Sequence, residues 1–489
     1  MLLCMSSETI PPHPPSPLLS EVGVAQLLGY RRRLAFTTVI LALVLEIVDT
    51  TIVNTALPAI QRGLGASESA TQWVVTGYFL MFAILLVAGG RLGDLYGYRR
   101  LFLVGVGGFT LASLACGLAP DATTLIAARF AQGAAAAIMA PQMIALVQLM
   151  YSPLERVARL AVFGLVGGLA AIGGPILGGL LIAANPAGLG WRVVFLINLP
   201  IGLVALVAGW WLLPRGRSPH ALRLDPIGTL LLGAALIALL IPAIEGRALG
   251  WPWWSIALPV ASVVLAIAFW RHSVRRTARV GSALIAPELF AAPTFRLGLS
   301  MTLLFATATN GFLLVLSMVL QRGLGMSPLD TALLHLPFGL GVMAGIALIG
   351  PRVLPRVGAG LLIFGALTMA LGLAGTAAAV AFAPIPGLIA ATLALSGIGM
   401  GCITGPLGPV TLARVDRGHA GVAGGMHNGA QQIGGALGAA VIGSLFFAIL
   451  DHGGAQRAFG GAVALDIVLL AAVALLARFL PGAIFAPEG

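Results

Sequence analysis

What limits this chain most is a succession of apolar runs, each close to the ~20 residues that a helix needs to cross a bilayer. They fall at about 34–58, 71–90, 101–119, 123–150, 158–184 and 191–213, then 226–244 and 254–271. Six more follow at about 295–320, 331–350, 357–379, 386–412, 420–450 and 461–481, giving fourteen in all. In hydrocarbon every backbone polar group must be satisfied within the segment, so each run is expected to be a helix. Only 9% of the 489 residues are charged and the mean hydropathy is +1.02, against about 25% charged in soluble domains. The expected fold class is an all-α polytopic membrane protein.

Charge placement orients the runs. All 27 basic residues are Arg, and with the N-terminus inside, twenty-one of them fall in segments expected to be cytoplasmic. Arg62, Arg192, Arg247, Arg322 and Arg457 fall outside, and Arg129 lies within a span. This is the positive-inside asymmetry, so the formal charge of +11 needs no nucleic-acid partner. Both termini are expected in the cytoplasm. Residues 1–33 read as a disordered tail without a signal peptide, because no basic residue precedes the apolar ones and the Pro cluster forbids a helix. A six-helix unit at 34–213, a linker at 214–225, two extra helices at 226–271, an Arg-rich linker at 272–294 and a six-helix unit at 295–481 follow, with a tail at 482–489. The extra pair carries no acid within the membrane and reads as lipid-facing. Cys4, Cys116 and Cys402 imply no disulfide framework.

Charges inside the spans carry the function. Glu46 and Asp49 stand three residues apart in the first helix, and Asp49 is fifteen residues, or about 22 Å, past Leu34. A carboxylate at that depth costs on the order of 2.5–3.5 kcal/mol, so its default reading is functional: a proton-exchanging group facing a watery cavity. Arg129 cannot shed its charge and needs an acid, for which Asp49 or Glu46 is the natural partner. It either tunes their proton affinity or forms a structural ion pair. Should Asp49 be sealed from every cavity by apolar side chains, the proton-exchange reading fails.

Other motifs are less specific alone. Gly90, Asp94, Gly97, Arg99 and Arg100 lie in a loop whose glycines permit a tight reversal and whose charges can latch two bundles. The fifth span carries Gly174-Pro175 and Gly178-Gly179, where Pro kinks the helix and small residues allow close packing. Asn54, Gln72, Gln132 and Asn310 are candidate substrate contacts, as are Gln321, Asn428, Gln431 and Gln432, or else they bond neighbouring helices. His335 is expected at the outer interface and Asp466 facing outer water. No phosphate-binding glycine loop, metal-ligand spacing or soluble catalytic domain is present, which argues against an enzyme.

Taken together these motifs resemble the fourteen-helix drug:proton antiporter branch of the major facilitator superfamily, the EmrB/QacA-like exporters. Asp49-Thr-Thr-Ile-Val-Asn-Thr-Ala-Leu-Pro58 is similar to that branch's first-helix signature. The 90–100 loop, Arg129 with Gln132-Gly133, Gly174-Pro175 and Trp191-Arg-Val-Val-Phe-Leu-Ile-Asn-Leu-Pro-Ile-Gly202 match its other motifs. Leu95, Ala170, Pro355 and the extra acid Glu46 depart from the pattern. The resemblance implies two six-helix bundles with two additional helices between them, in a bacterial plasma membrane. It implies proton-driven export of amphipathic, cationic drugs or antibiotics by alternating access, with Asp49, Glu46 and Arg129 coupling protons. No cofactor is expected, and the expected partners are lipid, protons and a small amphipathic substrate, with the chain a monomer. A dedicated exporter of one metabolite or siderophore, an importer, and a non-transporting sensor are the alternatives.

Overall fold

A computed structural model describes residues 29–218, 223–416 and 419–481, where helices are the regular elements. The expected tails at 1–28 and 482–489, linker residues 219–222 and Arg417 lie outside the described residues. The first half comprises α1 (Gly29–Leu64), α2 (Glu68–Tyr96), α3 (Tyr98–Leu118), α4 (Ala122–Met150), α5 (Pro153–Ala184), α6 (Val193–Leu196) and α7 (Asn198–Leu212). A hairpin of α8 (Pro226–Glu245) and α9 (Trp254–Val280) follows. The second half holds α10 (Pro293–Met318), α11 (Pro328–Ala344), α12 (Gly350–Val357), α13 (Gly360–Phe382), α14 (Pro386–Leu412), α15 (Ala420–Leu437) and α16 (Gly443–Ala477).

Thirteen helical runs among the described residues are long and apolar enough to cross a membrane. The difference from the expected fourteen lies in the last run, Gly421–Ala477. Its 57 residues are about 85 Å of helix against a ~30 Å hydrocarbon core. The break is at Gly454, whose φ of 77° no L side chain adopts readily, so a glycine kink stands where a loop was expected.

The halves share one pairing scheme. In the first, α1 packs on α5 and α7, α2 and α3 pack on α4, and α3 packs on α7. In the second, α10 packs on α15 and α16, α11 and α13 pack on α14, and α13 packs on α16. A short sequence repeat accompanies this: Gln61-Arg-Gly-Leu-Gly65 ends α1 and Gln321-Arg-Gly-Leu-Gly325 follows α10. Likewise Leu125-Ile-Ala-Ala128 recurs as Leu388-Ile-Ala-Ala391 in α14. Glycines set the closest crossings in both halves. A Cβ on Gly89 would stand 2.2 Å from Ala137 O of α4, and one on Gly397 would stand 2.0 Å from Phe338 O of α11.

Contacts between the halves, which include Ile172 on Gly339 and Phe79 on Gly435 midway along their spans, gather toward one end. There Gly179 faces Ala332 and Pro328, Gln321 Nε2 donates to Thr55 O at 2.9 Å, and Ser444 Oγ donates to Gln72 Oε1 at 2.9 Å. At the opposite end Gly164 and Gly168 of α5, and Gly421, Gly424 and Gly425 of α15, meet no neighbour within 4 Å. That open end carries Arg31, Arg32 and Arg33, which lie inside α1 and not in a preceding loop.

The helical hairpin is more than a lipid-facing addition. While α9 is largely exposed, α8 buries Ala235, Leu236, Ala238 and Leu240 and packs on α2. At its closed-end tip Trp73 Nε1 donates to Glu245 Oε1 at 2.8 Å, and Arg247 pairs with both Glu68 of α2 and Asp451 of α16. At its other end buried Asp225 caps α8. It accepts from Gly228 N at 3.0 Å and Leu284 N at 3.0 Å, and it contacts His272 Nε2 at 2.8 Å. Burial alone raises its pKa, but those donors together with Arg276 outweigh it and hold the carboxyl below its ordinary value. A carboxyl depressed on folding stabilises the native state above the unfolded value near pH ~4, and the contribution is lost as pH falls through the folded value. Asp225→Ala is expected to cost about 1.5–3 kcal/mol at neutral pH. Thermal unfolding of the variant in detergent checks this, with the gap to wild type closing as the solution is acidified.

Candidate functional site

The polar centre of the molecule is built on α1. Three residues of helix turn through ~300°, so the side chains of Glu46 and Asp49 leave the axis ~60° apart. That small angle separates their fates. Asp49 points into the first half, where its exposure is 0%, whereas Glu46 is half-buried.

Asp49 Oδ2 accepts from Arg129 Nη1 at 2.6 Å, and Oδ1 accepts from Gln132 Nε2 and from Asn198 Nδ2, each at 2.8 Å. Ser113 Oγ closes the cluster, accepting from Gln132 Nε2 at 2.7 Å and from Asn198 Nδ2 at 3.0 Å. Arg129 also donates through Nε to Val74 O at 3.0 Å and through Nη1 to Gln132 Oε1 at 2.7 Å. Its guanidinium lies 4.4 Å from the Tyr78 ring centre. Five helices thus converge on one neutral acid–arginine pair.

The expectation that Arg129 finds a first-helix acid is met by Asp49. The expectation that Asp49 opens on a watery vestibule is not: it is sealed, and by polar donors more than by apolar packing. Because Arg129 keeps its charge, a proton added to Asp49 would strand a buried cation. Glu46 makes no ion pair and accepts no side-chain hydrogen bond among the described residues, so it is the acid free to change charge. Ser113 and Asn198 are site residues that the motif reading passed over. Asn198 lies within the Trp191–Gly202 stretch, where its one side-chain amide among apolar residues was the available signal.

Other candidates scatter. Gln132 belongs to the cluster, Gln72 and Gln321 bridge the halves, and Asn54 is buried with Oδ1 unpartnered. Asn310 and Asn428 are half-buried, Gln431 is exposed beside His427, and Gln432 is half-buried with Oε1 unpartnered. His335 is buried and bonds Thr331 O at 2.7 Å, so it is not interfacial. Asp466 has 0% exposure and does not face outer water.

In the loop, Gly97 makes the reversal at φ 99°, while Gly90 is helical and makes no turn. Asp94 accepts from Tyr98 Oη at 2.9 Å. Arg99 reaches Trp210, Arg91 reaches Ala283 O, and Arg100 is exposed. These contacts stay within the first half and the linker, so the latch does not join the halves here. Gly174 and Gly178 of α5 press on Thr51 and Ile52 of α1, Pro175 lies inside the helix, and Gly179 meets the second half. An apolar cavity of about 250 Å³ lies where α2, α8, α9, α10 and α15 converge, lined by Ala83, Val87, Leu232, Phe269, Met426 and Ile433.

Comparison with known proteins agrees with this architecture. The chain is 40% identical over 452 residues to the "Probable actinorhodin transporter" of Streptomyces coelicolor, covering 89% of this chain and 77% of that protein. It is 38% identical over 475 residues to "Puromycin resistance protein pur8" of Streptomyces alboniger, covering 91% of each. Among solved structures, a bacterial homologue of the human lysosomal transporter Spinster, in an inward-facing and unoccupied conformation, superposes with a TM-score of 0.65 at 16% identity. The superposition covers 93% of this chain and 98% of that one, and at such identity it speaks for the fold. With the family profile matching residues 39–439 as well, the chain belongs to the Major Facilitator Superfamily.

Proposed function

We propose that this chain exports amphipathic antibiotics or drugs across a bacterial plasma membrane in exchange for protons, with both termini in the cytoplasm. Relatives named for actinorhodin transport and puromycin resistance support the cargo class. The open end carries the Arg-rich segments, which supports a cytoplasm-facing conformation. The observation that carries the coupling is the division of labour on α1: Asp49 is tied to Arg129, while Glu46 beside it is unpaired and partly exposed. Glu46 takes a proton when the pathway opens outward and gives it up when an amphipathic cation arrives from inside. One charge moved through 100 mV supplies about 2.3 kcal/mol, enough to drive a useful gradient.

The test uses reconstituted protein and puromycin. Glu46→Gln is expected to abolish puromycin-driven proton release while retaining binding, and Glu46→Asp to keep part of it. Wild-type export with unchanged proton release from Glu46→Gln would overturn the assignment. A dedicated single-compound exporter is the second reading, favoured by relatives that are each named for one compound. Transport of several unrelated amphipathic cations would exclude it.

A further inference from the structure

We propose that Asp466 is a second proton-binding site, placed in the second half and distinct from the acids of α1. Its side chain is wholly buried, and neither carboxyl oxygen has a hydrogen-bond partner among the described residues. It lies twelve residues beyond the Gly454 kink, about 18 Å along the helix and so near the middle of a ~30 Å core. An ionised carboxylate in such surroundings has neither water, cation nor donor to stabilise it, and only a proton satisfies it.

The elements packed on α16 supply no counter-charge. On α13 there is no titratable side chain, and α10 with its following turn carries only Arg296 and Arg322, both exposed at its ends. Contact with α2 is made by the other limb of α16, where Gln72 meets Ser444, and Asp451, His452 and Arg457 are exposed near the kink. The repeat explains why no arginine reaches it. Aligning Gln61–Gly65 with Gln321–Gly325 sets Thr309 against Asp49, and aligning Leu125–Ala128 with Leu388–Ala391 sets Thr392 against Arg129. The second half therefore has hydroxyls where the first has its ion pair. Its acid sits on α16, packed between α10 and α13 as α7 is packed between α1 and α3. The chemistry is one proton taken from water onto a carboxylate oxygen, with no electron transfer.

A role for this proton in export rests on the antiport reading above, and the two are tested separately. In full-length protein in lipid nanodiscs, infrared difference spectra at pH 7 should show a protonated-carboxyl stretch in wild type and in Glu46→Gln. On the Glu46→Gln background, Asp466→Asn and Asp466→Val should both lack it. Val removes no ion pair, so its melting temperature should match or exceed that of wild type and report a folded protein. Identical spectra in all four would overturn the site. For coupling, puromycin-driven release counted with a pH dye should fall by one proton per cycle in Asp466→Asn, and an unchanged count would overturn that role. Absence of any release in wild type would sink the antiport reading, leaving the infrared band to decide the site alone.

Discussion

Asp49→Ala is expected to destabilise the folded protein by about 3–5 kcal/mol, the largest single-site effect in the molecule. The carboxylate removed is the sole counter-charge to Arg129 among the described ion pairs, and the guanidinium is 1% exposed. Arginine cannot neutralise itself, and Gln132 Nε2 and Asn198 Nδ2 would lose an acceptor at the same time. Such a loss is a large share of the ~5–15 kcal/mol typical of a folded domain. Arg129→Leu should cost less, because the acid left behind can take up a proton. The double variant should recover much of the loss, since removing both charges leaves nothing uncompensated. Thermal unfolding of the two single variants and the double one in the same detergent checks the cycle. Additive losses would mean that the pair is not the unit of stability.

Gly179→Leu is expected to hold the closed end apart. A Cβ at this position would stand 2.4 Å from Ala332 Cβ and 2.6 Å from Pro328 O, and the backbone oxygen cannot rotate away. Overpacking of this kind costs about 1–3 kcal/mol, which is roughly a 5- to 150-fold shift in the balance between open and closed forms. Export should drop accordingly, and spin labels at Arg62 and Asp330, both exposed near that contact, should report a longer distance. Gly168→Leu is the control, because nothing lies within 4 Å of its position. If both variants leave the distance unchanged, Gly179 is not where the halves close.

Much of this was legible in the residues, and the limits are physical. Span length follows from the bilayer, so the runs were visible without coordinates. The charge on Arg129 had to be met inside the membrane, which pointed to Asp49. What periodicity cannot show is which neighbour covers each face of a helix whose surroundings are apolar on every side, lipid and protein alike. For that reason Asp49 was expected at a cavity and lies in a polar cluster, while Asp466 and His335 were expected near water and are buried. Ser113 and Asn198 reach the cluster from α3 and α7, and only tertiary packing brings them there. The burial of α8 is hidden in its sequence for the same reason, since its buried face is no more apolar than its lipid face.

Arg247 gives the hairpin a further significance. Through Glu68 and Asp451 its tip grips both halves at once, so on the proposed transport cycle three bodies take part instead of two. On the proposed orientation that tip, with exposed Leu249, Trp251 and Trp253, is reachable from the extracellular medium. A molecule that clamps it there would stall the cycle without ever entering the translocation route, and a competing cargo could not displace it.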